Sequence, residues 1–92
     1  MKLSSEFMLK EIAGTYVLIP IGQNIVACKN LLRLNDTGAF IMKKLEAGIS
    51  YDELLEALAK EYEAEENEIE ILRTDLDTFL CQARGINALV ED

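Results

Sequence analysis

The chain has 92 residues, half of them apolar, and 9 basic against 17 acidic side chains give it a net charge of −8. This length accommodates one hydrophobic core, so residues 1–92 are expected to form one domain. The acidic balance argues against binding to nucleic acid or to an anionic membrane, since both depend on clustered cations. The sequence contains no histidine, which removes the commonest general base and the commonest metal ligand.

The charge is divided unequally between the two halves of the chain. Residues 1–44 hold six basic and three acidic residues, a balance of +3, whereas residues 45–92 hold three basic and fourteen acidic residues, a balance of −11. This asymmetry predicts two different surfaces.

The two cysteines, Cys28 and Cys81, belong to no metal or redox motif. Because the sequence shows neither a signal peptide nor an apolar run long enough to span a bilayer, we expect reduced, buried or half-buried thiols in a cytoplasmic protein.

Two segments rich in aromatic, β-branched and aliphatic residues come first, at 7–12 and 15–20. Ala13 and Gly14 between them suit a tight turn, so the pattern predicts a β-hairpin, and Pro20 ends it because proline cannot donate a ladder hydrogen bond. After a turn signal at 22–24 and a short apolar run at 25–28, residues 31–34 predict a third strand.

The helical period begins at Asn35, a good N-cap, and the first helix is expected to stop at Gly48. Gly38 weakens the first turn of this helix, which suggests that another group packs closely against it. Ser50 and Glu53 fit the S-x-x-E capping box and predict a second helix over 50–63.

The third helix has the clearest pattern and is expected to end at Gly85. One apolar stripe runs along it, formed by Ile69, Leu72, Leu76, Phe79, Leu80 and Ala83. An apolar tail follows that can fold back on the core, namely Ile86, Leu89 and Val90. This order of elements favours an α+β fold, a winged helix-turn-helix-like domain with a three-stranded antiparallel sheet followed by three helices.

No catalytic pattern is recognisable. The chain has no nucleophile–histidine pair, no phosphate-binding loop and no cysteine cluster, so we expect a protein that is not an enzyme and that binds no metal, nucleotide or other cofactor. The glutamates between 61 and 70 are interpreted as a solvated helix junction.

Four segments in order resemble the PqqD family (pyrroloquinoline-quinone biosynthesis protein D). They are F-x-x-K-E-I-A-G-x-Y-x-L-x-P over 7–20, L-N-D-T-G-A-F-I over 34–41, G-I-S-x-x-E-L over 48–54, and then Tyr62, Asp75 and Phe79-Leu80. One departure concerns packing beside the first helix, where the family often has Trp and this chain has Met42.

The resemblance implies a recognition element for ribosomally synthesised, post-translationally modified peptides (RiPPs). Such a domain binds the leader of a precursor peptide as an added antiparallel strand on its third strand, in a groove walled by the third helix. It then presents the precursor to a modifying enzyme, very often a radical-SAM protein. The leader-binding residues carried over to this sequence are Lys29, Asn30, Leu31, Leu32, Arg33, Leu34, Ile69, Leu72, Arg73 and Leu76.

Several of these residues have a second interpretation. The apolar residues of the third strand and third helix can equally be core, and Arg73 can pair with a neighbouring glutamate instead of a leader carboxylate. The edge strand can also pair with a second copy of the chain, giving a homodimer. A winged-helix DNA-binding regulator is the rival function, although the second helix carries many acidic residues and one lysine, Lys60.

Overall fold

The computed structural model describes residues 1–21 and 32–91. In this part of the chain the strands are β1 (Lys2–Leu3), β2 (Phe7–Ile12), β3 (Thr15–Pro20), β4 (Leu32–Leu34) and β5 (Leu89–Val90). The helices are α1 (Asp36–Ala47), α2 (Tyr51–Glu61) and α3 (Ile69–Gly85), with a short 3₁₀ turn at Glu66–Glu68 before α3.

A three-stranded antiparallel sheet in the order β2-β3-β4 confirms the predicted hairpin. Ala13 and Gly14 both have positive φ, 52° and 81°, which matches the twist that a two-residue hairpin turn requires. The predicted third strand is confirmed over Leu32–Leu34, whereas Leu31, the turn signal at 22–24 and the apolar run at 25–28 lie outside the described residues.

Side-chain caps begin the first two helices where the sequence predicted them. Asn35 Oδ1 accepts a 2.7 Å hydrogen bond from the Gly38 amide, and α1 ends at Gly48 with φ at 87°. Ser50 Oγ accepts from the Glu53 amide, which confirms the predicted N-cap. The Glu53 carboxylate accepts from the Ser50 hydroxyl, where a full capping box would have it accept from the Ser50 amide.

A second sheet, which the sequence did not reveal, joins the two ends of the described chain. β1 pairs antiparallel with β5, and the Met1 and Ile49 backbones exchange hydrogen bonds of 2.9 Å. Strands of two residues are too short to show any periodicity, so pattern analysis could not find them. In the predicted tail, Leu89 is half-buried, but Val90 remains 48% exposed.

The core lies between the inner face of the main sheet and all three helices. Its fully buried side chains are Leu18, Ile41, Met42, Leu45, Leu54, Leu58, Leu76 and Leu80. Met42 therefore occupies a core position, which answers the packing question raised by its departure from the family pattern. Cys81, expected to be at least half-buried, is exposed on α3, and Cys28 lies outside the described residues.

One hydrogen bond links the solvent sides of α2 and α3. Tyr51 Oη donates to Asp77 Oδ1 over 2.5 Å, and this bond raises the pKa of Tyr51 above its ordinary value.

α1 and α3 approach closely at Gly38, as its position in a first turn suggested. A Cβ placed on Gly38 would lie 3.0 Å from Cε2 of Phe79 and 3.2 Å from Oδ1 of Asn35. The Phe79 ring therefore packs directly against the first turn of α1, which fixes how β4, Asn35 and α3 sit together.

This contact makes Gly38→Ala different from other glycine substitutions in helices. Ala at Gly85, where an added Cβ meets nothing within 4 Å, should raise the free energy of unfolding by about 0.5 kcal/mol through helix propensity. Ala at Gly38 should instead lower it by about 1 kcal/mol, because the ring or the cap must move. Urea denaturation of the two variants measures both changes, and an equal gain at both positions would contradict the close packing.

Candidate functional site

An apolar groove separates β4 from the C-terminal half of α3. It encloses about 360 Å³ and is lined by Leu18, Leu32, Arg33, Leu34, Asn35, Met42, Phe79, Gln82, Ala83 and Ile86. Leu18, Met42 and Ala83 are buried and form its floor. Leu32, Leu34, Phe79 and Ile86 are half-buried, so part of each side chain is accessible from the groove.

The alternation of β4 explains which of its side chains face inward. Leu34 and Leu32 oppose Tyr16 and Leu18 of β3, on the face that covers the core. Arg33 opposes Val17 on the other face and is exposed. Arg33 borders the groove and supplies the positive charge among the side chains that line it.

β4 is an edge strand in the described part of the chain, since it pairs with β3 on one side only. Successive residues of a strand direct their N–H and C=O groups to opposite sides, so part of this short backbone has no partner within the sheet. An edge of this kind beside an apolar groove can hydrogen-bond an extended peptide while the groove takes its side chains.

A second, more polar pocket continues the groove past the end of β4. It also encloses about 360 Å³ and is lined by Asn35, Thr37, Gly38, Ile41, Asp75, Thr78, Phe79 and Gln82. The two pockets share Asn35, Phe79 and Gln82, so they form one continuous depression along α3.

The structure brings together only part of the predicted leader-binding set. Leu32, Arg33 and Leu34 lie at the groove, and Lys29, Asn30 and Leu31 lie outside the described residues. The four residues predicted on α3 line neither pocket beside β4, namely Ile69, Leu72, Arg73 and Leu76. Leu76 is fully buried in the core, and Ile69 and Leu72 pack against it.

Arg73 lies on the side of α3 that faces α2. Its Nε is 3.4 Å from Glu70 Oε1, and the nearby Glu70 charge and Tyr51 hydroxyl raise the pKa of Arg73. This arrangement agrees with the alternative in which Arg73 pairs with a neighbouring glutamate. An exposed pair of this kind contributes little to stability.

The groove uses the next turns of α3, which the sequence did not single out as a binding site. Phe79 and Ala83 belong to the apolar stripe, but the stripe is continuous and does not indicate which turns face β4. The contact between Gly38 and Phe79 decides this, because β4 leads through Asn35 directly into α1. Gly38 was the available signal, since it predicted a close approach without identifying the partner.

Within residues 1–21 and 32–91, no three acidic or cysteine side chains are grouped so that they could hold a metal ion. Among the helices of that part, none is long and apolar enough to cross a membrane.

The acidic half of the chain is evident on α2. Its exposed side chains include Asp52, Glu53, Glu56 and Glu61, with Lys60 as the basic residue of this helix. In a winged-helix DNA-binding protein the corresponding face meets phosphates, and this one would repel them.

The fold and the sequence can be compared with known proteins. The structure described as TbiB1 in complex with the TbiA(beta) leader peptide has a similar fold, with a TM-score of 0.77 and 23% identity over 100% of both chains. No curated protein has significant similarity to the chain. Residues 15–89 match the family model of coenzyme PQQ synthesis protein D (PqqD), which is most of the chain. The chain therefore belongs to the PqqD family.

Proposed function

We propose that this chain is a non-catalytic RiPP recognition element that binds the leader of a ribosomal precursor peptide by β-strand addition to β4. The observation that carries the proposal is the juxtaposition of an edge strand with an apolar groove along α3. Membership of the PqqD family supports it. So does the similar fold of TbiB1, whose structure contains a leader peptide.

Strand addition gives affinity through the backbone and specificity through side chains. The leader's N–H and C=O groups would pair with the free edge of β4, as a fourth strand of the sheet. Every second leader side chain would then point toward α3. The apolar surface of Leu34, Phe79 and Ile86 favours an apolar leader residue there, because its burial removes both surfaces from water.

The domain would act by holding its partner rather than by chemistry. Its groove is lined mainly by aliphatic and aromatic side chains, and the polar groups there form no nucleophile–base pair. We propose that residues 1–92 work as one PqqD-like domain that presents the bound precursor to a modifying enzyme, a radical-SAM protein or another class. This would happen in the cytoplasm, where ribosomal precursors are made.

Selection from a random peptide library tests the mode of binding with no need to identify the natural leader first. Phage-displayed peptides of about 12 residues are long enough to span the groove at about 3.3 Å per residue. We expect selected peptides to share an apolar position and, when titrated into ¹⁵N-labelled protein, to shift the amides of Leu32–Leu34 and of residues 79–86. Shifts concentrated on α2 would place the site elsewhere.

Backbone N-methylation of a selected peptide provides the control for strand addition. Methylation should abolish binding at every second residue and be tolerated at the others, because alternate N–H groups of an added strand face β4. A loss with no period of two would refute strand pairing.

Arg33 and Arg73 form a matched pair of variants. Arg33→Ala should weaken a selected peptide that carries an acidic residue opposite β4 by about fivefold, which corresponds to roughly 1 kcal/mol. Arg73→Ala removes the same charge on the α2 side of α3 and should leave the dissociation constant unchanged. Fluorescence anisotropy with the labelled peptide measures both, and a loss in Arg73→Ala alone would favour the N-terminal half of α3.

The edge of β4 also fits a second copy of this chain, so we propose that homodimer formation and peptide binding exclude each other. Sedimentation velocity at increasing protein concentration should show a weak dimer that a saturating selected peptide converts to monomer. A dimer that binds the peptide without dissociating would show that copies associate through another surface.

A further inference from the structure

The polar pocket beside the groove contains three polar groups that have no partner among residues 1–21 and 32–91. Asp75 and Gln82 form no hydrogen bond or ion pair with any described residue, and the Asn35 side chain uses its oxygen to cap Gly38 but leaves its amide nitrogen free. The two hydroxyls are engaged: Thr37 Oγ1 is 3.2 Å from Tyr62 Oη, and Thr78 Oγ1 donates to the Thr74 carbonyl over 3.0 Å.

Asp75 is the ionisable side chain among the residues that line this pocket. The basic residue two positions earlier, Arg73, already pairs with Glu70. A carboxylate that no described cation neutralises, beside apolar Ile41 and Phe79, favours a ligand that brings a positive charge.

The nearby N-terminus of α1 would favour an anion instead, but its own residues offset part of this preference. The Asn35 side chain accepts a hydrogen bond from the Gly38 amide, and the Asn35 carbonyl accepts one from the Ala39 amide. Asp36 also places a negative charge in the first turn. Asp75 therefore determines the charge preference of the pocket, which is for a cation.

The geometry of the groove determines which residue of a bound strand would lie beside Asp75. The lining of α3 runs from Asp75 to Ile86, about 16 Å of helix, which corresponds to about five extended residues. The polar pocket adjoins the C-terminal end of β4, at Asn35. A strand added antiparallel to β4 enters at this end, so its N-terminal residues lie beside Asp75.

Resting on the proposed function, we infer that the groove selects leaders with a lysine or arginine on the N-terminal side of the apolar residue held against Leu34 and Ala83. Asp75 is the ionic partner of this cation, and the Gln82 side-chain oxygen accepts a hydrogen bond from it. Arg33, at the centre of β4 and next to Leu34, faces the other side of the sheet and favours an acidic leader residue there. The bound leader thus has the order basic, apolar, acidic from its N-terminus.

Library selection against four proteins tests this inference: the wild type, Asp75→Asn, Asp75→Lys and the control Asp52→Asn. The control removes one negative charge from exposed α2, away from both pockets. We expect lysine and arginine to be enriched at one position before the apolar residue with the wild type and the control. The enrichment should vanish with Asp75→Asn and change to aspartate and glutamate with Asp75→Lys.

A synthetic peptide from the wild-type selection gives the quantitative readout. Replacing its basic residue with glutamate should weaken binding to the wild type by about fivefold or more at low salt. The dissociation constant of the glutamate peptide divided by that of the original peptide should approach one in Asp75→Asn. In the wild type this ratio should fall as salt is raised from about 50 to about 500 mM. Circular dichroism confirms that each variant is folded.

The outcomes separate this inference from the proposed function. Peptides that share the apolar residue and shift the groove amides, but show no charge preference that depends on Asp75, would overturn the charge inference and leave leader binding intact. Failure to select any peptide that shifts the amides of β4 and residues 79–86 would overturn the proposed function and this inference with it.

Discussion

The packing of Phe79 against Gly38 is the contact on which the arrangement of the site depends. β4 passes through one residue, Asn35, into α1, so the position of the strand and that of the first helical turn are tied together. The ring lies 3.0 Å from where a Cβ of Gly38 would be, and no larger residue fits there without displacing the ring or the cap. This contact sets the C-terminal half of α3 opposite the strand and creates the groove between them.

The same contact separates two roles along a single apolar stripe. On the N-terminal side of Phe79, Leu76 is fully buried and Ile69 and Leu72 pack against the core. On the C-terminal side, Ala83 and Ile86 line the groove together with Phe79 itself. Leu76 and Leu80 of this helix therefore belong to the core, whereas the half-buried Phe79 and Ile86 offer an accessible apolar surface.

The edge strand carries a charge that limits its tendency to aggregate. An unpaired strand edge is a risk for aggregation, and proteins limit it by keeping the strand short and by placing charged residues on it. The described part of β4, Leu32–Leu34, carries Arg33 at its centre. The surface of α2 is acidic, and the net charge of −8 opposes non-specific association of copies. These charges oppose uncontrolled pairing of copies at the edge of β4.

The sequence alone determined the local elements and their order. Hairpin, caps and helix ends were predictable because turns and caps depend on residues adjacent in sequence, as with Ala13-Gly14 and the N-caps Asn35 and Ser50. The family could be identified from motifs in order, and the acidic balance could be read from composition.

Only the tertiary structure decided which turns of α3 line the groove beside β4. A helix with a continuous apolar stripe offers the same pattern to any neighbour, so the sequence placed the groove at residues 69–76, whereas the described groove uses Phe79, Gln82, Ala83 and Ile86. The sequence also did not predict that β1 pairs with β5, or that Asp75, Asn35 and Gln82 line the same pocket. Each depends on contacts between residues far apart in the chain, and these are fixed by how whole elements pack, not by local pattern.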